Sequence, residues 1–76
     1  MSSEEAHAND LAAARKAVEE GRQQVKELTE NIGEAMAVND NKQAGKILRE
    51  RQKAQRELDR LEEALRALEE GQSHEA

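Results

Sequence analysis

Apolar and small residues recur in alternating steps of three and four along two stretches of this chain, and the two stretches mirror each other. The first stripe is Leu11, Ala14, Val18, Gly21, Val25, Leu28, Ile32 and Ala35. The second is Ala44, Ile47, Arg51, Ala54, Leu58, Leu61, Leu65 and Leu68. This stepping keeps one face of a helix apolar and is the a/d pattern of a coiled-coil seam. Between the stripes lies Val38-Asn39-Asp40-Asn41, whose side-chain oxygens favour turns and cap backbone N–H groups. Asp40 followed three residues later by Gln43 reads as a capping box for a second helix.

If the chain reverses at the Asn39–Asp40 bond, seam residues that face each other have numbers adding to 79. Ala35 then meets Ala44, Ile32 meets Ile47, Leu28 meets Arg51, and so on to Leu11 with Leu68. Every a position meets a d position. Two unrelated stripes joined by an arbitrary linker would not close in this way. The fold class expected is all-α, a two-helix antiparallel coiled-coil hairpin that dimerises into a four-helix arrangement. It forms a single domain over residues 1–76, with helices over about 4–37 and 42–70, a turn at 38–41 and a tail at 71–76.

Composition supports this reading. No Pro interrupts the helices, and charged and hydrophobic residues are nearly balanced at 38% and 36%, as in long helices and coiled coils. The absence of Cys excludes disulfides, thiolate chemistry and thiolate-bound zinc. No apolar run reaches the length of a membrane span or a signal-peptide core, and the first residues are acidic, so a cytoplasmic protein is expected.

Small faces large across the seam: Gly21 with Leu58, Ala14 with Leu65, Ala54 with Val25. That matching keeps the helix separation nearly constant. Arg51 opposite Leu28 is a polar layer. Its stem is expected to lie along the seam with the guanidinium in water, either tolerated there or acting against slipped pairings. The same register places Arg15 between Glu62 and Glu69, and Arg22 near Glu62.

A two-helix seam leaves one side of each core residue wet, so a partner is expected. Two surfaces offer themselves. Near the termini, Ala13, Ala17, Ala64 and Ala67, with Gly71, form a small-residue face suited to close approach of a second copy. Near the turn, Gly33, Met36, Gly45 and Leu48 combine an apolar pair with exposed backbone, which either suits a protein partner or reflects glycines that merely loosen the helix ends. Methionine adapts to a partner's shape.

The net charge of −5 is unevenly spread: residues 42–60 hold seven bases against three acids. Lys46, Arg49, Lys53, Arg56 and Arg60 follow helical steps and form a ridge about 20 Å long at ~1.5 Å per residue. The bland reading is a solvated face; the alternatives are phosphate binding along RNA or an acidic protein partner. No aromatic residue is present to stack a base. From Ile32 to Leu68, Ile32-Gly33-Glu34-Ala35, the polar turn and the heptad leucines Leu58, Leu61, Leu65 and Leu68 resemble the long helical arm of seryl-tRNA synthetases. The resemblance implies contact with tRNA. Any heptad hairpin shares this pattern, and no residues of a synthetase catalytic domain accompany it.

His7 and His74 are expected on solvated tails, without the ligand spacing of a metal site. The glutamate pairs Glu19/Glu20, Glu62/Glu63 and Glu69/Glu70 fall largely on outer positions, where nothing raises a carboxyl pKa toward general-acid chemistry. No catalytic residue, cofactor or metal is expected. The function expected is a non-enzymatic protein-interaction module: an adaptor, an assembly factor or an inhibitor of the kind phages and plasmids encode. The alternatives are an RNA-binding arm and a structural homodimeric scaffold.

Overall fold

The computed structural model describes residues 3–74, with side-chain environments for residues 6–71. Two helices make up the fold, α1 over Ser3–Ala37 and α2 over Asn41–His74. They pack side by side into a hairpin measuring 55 × 17 × 15 Å. Thirty-four residues at ~1.5 Å each span about 51 Å, so each helix runs the full length of the molecule.

The reversal occurs where the sequence places it, and its hydrogen bonds show why. Asn39 has φ 59°, the left-handed conformation that ends helices and that Asn tolerates better than most residues. The Asp40 N–H donates to the Ala35 carbonyl at 2.8 Å, and the Asn39 N–H donates to the Met36 carbonyl at 3.0 Å. Together these bonds form a Schellman motif closing α1. One residue later the chain starts again. Asp40 Oδ1 accepts from the Gln43 N–H at 3.1 Å, and the Asp40 carbonyl accepts from Ala44 at 3.0 Å. Half of the expected capping box is therefore formed. The other half is replaced, because the Asp40 N–H that Gln43 would have capped already serves the end of α1.

Burial follows the two stripes. The most buried residues are Leu11 (4%), Val18 (2%), Ala35, Ile47, Ala54 and Leu58 (5%), all on the predicted seam. Every other stripe position is half-buried, Arg51 included. Among the described residues no large side chain is fully enclosed, as expected of a seam with helices on only two sides. The register is confirmed directly at Gly21. A Cβ built there would lie 3.1 Å from Leu58 Cδ1, the residue its number pairs with. Only glycine lets the backbone approach Leu58 without displacing it.

Two expectations need correction at the termini. Helix α2 continues to His74 instead of yielding to a tail at residue 71. Gly71 disfavours a helix by only ~1 kcal/mol relative to Ala, and nothing after it supplies a stop signal. His7 does not sit on a solvated tail. It lies within α1, half-buried, with Nε2 buried and lacking a hydrogen-bond partner among the described residues. The reason is spacing: His7 precedes Leu11 by four residues and so continues the seam by one step. The side chain of His74 lies outside the described residues.

Candidate interaction surfaces

The seam has two edges, formed by the heptad e and g positions, and they differ. On the e edge, Arg22 pairs with Glu62 at 3.0 Å and Arg15 with Glu69 at 3.8 Å, as the register requires. Between these pairs and the turn, Arg51 Nε donates to Thr29 Oγ1 at 2.7 Å. The Thr29 hydroxyl in turn donates to the Val25 carbonyl at 2.8 Å. Arg51 thus spends one donor on the opposite helix instead of leaving its whole head group to water. A slipped register would separate the two groups, as a device against slipped pairings requires.

The g edge is open. A groove of about 500 Å³ runs along it, walled by Ala17, Gly21 and Leu28 of α1 and by Ala54, Leu58 and Leu61 of α2. Glu20 and Gln24 border it on one side, and Glu50, Lys53 and Glu57 on the other. Toward the turn a second hollow follows, lined by Leu28, Asn31, Ala35, Val38 and Ile47 among others. Sequence reasoning did not foresee this groove. Its signals were nevertheless present: a glycine on the seam, and g positions that carry Gln24 and Asn31 on α1 but Glu50 and Glu57 on α2, with no opposite charges to bridge them.

Comparison with protein-family models, curated proteins and solved structures gave no match. The surfaces themselves are therefore what function can be argued from.

The turn-proximal group is gathered on one side as the heptad assigns it. Met36 and Leu48 occupy facing e positions and are 60% and 44% exposed. Gly33 is exposed and Gly45 half-buried, and a Cβ added at either would meet nothing within 4 Å. Val38, 73% exposed, adds a third apolar side chain at the tip that the sequence reading treated only as part of the turn. It borders the hollow on the other edge.

The small-residue group is also accessible. Ala13, Ala64 and Ala67 are exposed, while Ala17 is half-buried in the groove wall. All five residues of the basic ridge, Lys46, Arg49, Lys53, Arg56 and Arg60, are exposed. Arg60 lies 3.9 Å from Glu57, and Arg49 Nε donates to the Gly45 carbonyl at 3.4 Å. Exposed pairs of this kind contribute little, ~0.2–1 kcal/mol. No helix among the described residues is long and apolar enough to cross a membrane.

Proposed function

We propose that this chain is a small, non-enzymatic, cytoplasmic protein-interaction module that docks helix against helix, in the manner of an adaptor, assembly factor or inhibitor. The observation that carries this reading is the pair Met36 and Leu48, 60% and 44% exposed, beside two glycines with open space where side chains would be. An apolar pair flanked by bare backbone lets a partner helix approach closely, and the partner gains burial that the hairpin cannot supply itself. The module also pairs with a second copy through the small-residue face of Ala13, Ala17, Ala64 and Ala67, giving four helices around a shared core. Half-burial of Leu28, Leu61, Leu65 and Leu68 in the single hairpin supports this part of the reading.

Affinity purification from the native host, with mass spectrometry, is the test of docking. A Met36→Asp/Leu48→Asp chain should lose the partner captured by the wild type while its circular dichroism remains helical. Retention of the same partner by that variant would place the docking site elsewhere.

A further inference from the structure

The heptad c positions flank the face that holds the open groove, Glu20 and Lys53 lining it, and their charges form a pattern. On α1 they are Ala13, Glu20, Glu27 and Glu34; on α2 they are Lys46, Lys53, Arg60 and Ala67. All eight are exposed. Residues seven apart stay in line on a coiled-coil helix, so the face carries an acidic c row on α1 and a basic c row on α2, each ending in alanine near the termini, with Glu50 and Glu57 standing inside the basic row at the groove. In the hairpin register the level partners have numbers adding to 80: Glu20 with Arg60, Glu27 with Lys53, Glu34 with Lys46, Ala13 with Ala67. Among the described residues, the ion pairs Arg15–Glu69 and Arg22–Glu62 that join the two helices lie on the opposite edge.

We propose that this face receives a second copy of the chain, about a two-fold axis parallel to the hairpin's long axis. Each α1 then lies along the α2 of the other copy. This rests on the self-association reading above and specifies its geometry. Homodimers close most commonly by a two-fold, and two such axes would bring these faces together. An axis across the hairpin stacks α1 on a reversed α1 and α2 on a reversed α2, so wherever the charged rows overlap they meet acid on acid and base on base. An axis along the hairpin sets Glu20 on Arg60, Glu27 on Lys53 and Glu34 on Lys46, each twice, with Ala13 on Ala67. Like-charge rows exclude the first arrangement and opposite rows select the second.

The opposite face lacks such a code. Its flanking b positions would set Glu19 on Asp59 and Lys26 on Gln52, which leaves that face to the Met36/Leu48 partner. Size is adequate, since an outline of 55 × 17 Å is roughly 900 Å², against about 800 Å² per partner in a standard interface. The g positions between the charged rows hold Gln24, Asn31, Glu50 and Glu57, so the turn half of the interface is polar and wet and the terminal half is close-packed. Association is accordingly salt-sensitive.

Sedimentation equilibrium of the purified full chain over a wide concentration range, at low and high salt, is the first measurement. A dimer weakened by salt is expected, and a monomer at every concentration overturns the proposal. Glu20→Lys/Glu27→Lys/Glu34→Lys and, separately, Lys46→Glu/Lys53→Glu/Arg60→Glu should each stay helical but associate at least about tenfold more weakly. Mixing the two variants should restore the dimer. Undiminished self-association of both variants overturns the assignment of the face, as does a wild-type monomer whose basic row binds structured RNA instead. The axis is read by oxidising a mixture of Ala13→Cys and Ala67→Cys chains, since the native chain has no cysteine. Disulfides joining 13 of one chain to 67 of another are expected, whereas a dimer that yields none, or one that yields 13–13 and 67–67 products, overturns the geometry. Because only purified chain is used, these outcomes are independent of partner capture by Met36 and Leu48.

Discussion

Along one edge of the seam Arg22 reaches Glu62 at 3.0 Å and Arg51 reaches Thr29 at 2.7 Å; along the other, a groove of about 500 Å³ separates the same two helices' flanks. Both edges come from one heptad repeat and share one set of a and d residues. They differ because the e positions carry long side chains of opposite sign, Arg15 and Arg22 against Glu62 and Glu69. The g positions carry Ala17, Gln24 and Asn31 against Glu50 and Glu57. A hairpin therefore needs bridging on only one side to define its register. The unbridged side leaves the apolar walls of the groove uncovered.

The sharpest way to break this contrast is to remove a wall that both edges share. Leu58 is 5% exposed and touches the space at Gly21, so Leu58→Ala should lose about 2–4 kcal/mol of stability. Urea unfolding followed by circular dichroism reads this, at a protein concentration low enough that association does not mask it. A loss below ~1 kcal/mol would mean the groove is already so open that Leu58 is not a core residue.

The next change opens the closed edge. Thr29→Val keeps the shape of the side chain but removes the acceptor for Arg51 and the donor to Val25. A loss of ~1 kcal/mol is expected, the net worth of an ordinary hydrogen bond. Amide exchange should show looser protection around Val25 as well. Stability equal to wild type would show that Arg51 is only a tolerated seam residue.

Two glycines sharpen the contrast between packed and empty backbone. Gly33→Ala and Gly45→Ala should each raise stability by ~0.5–1 kcal/mol, since a new Cβ meets nothing and helix propensity improves. Gly21→Ala gains the same propensity but crowds Leu58 at 3.1 Å, so its net effect on the melting temperature should be close to zero. Equal gains at all three positions would mean that the close approach at Gly21 is not a constraint.

Among the contacts across the seam, the ion pairs are worth the least. Arg22→Gln should lose about 0.2–0.5 kcal/mol at low salt, with the difference vanishing as salt is raised, because both partners are substantially exposed. A salt-independent loss would point to packing by the arginine stem.

The parts of this molecule legible in advance were those set by periodicity and local chemistry. The seam, the reversal at Asn39–Asp40, the facing of Gly21 with Leu58 and the pairs Arg15–Glu69 and Arg22–Glu62 all follow from the spacing of residues along two helices. Legibility failed where a residue's role depends on what else has claimed its atoms. Asp40 and Gln43 matched a capping box, yet the Asp40 N–H was taken by Ala35. Arg51 was expected to reach for water and found Thr29, a hydroxyl whose own proton is committed to Val25. His7 was assigned to a tail although one further heptad step placed it on the seam.

Sequence alone thus determined that two helices form, where the chain turns and which residues face each other, because helical geometry converts spacing directly into direction. Tertiary structure decided which edge of the seam closes and which stays open. That choice depends on the lengths of side chains meeting across a gap, on competition for a limited set of donors and acceptors, and on the room a single glycine leaves beside Leu58. None of these is a property of one helix by itself.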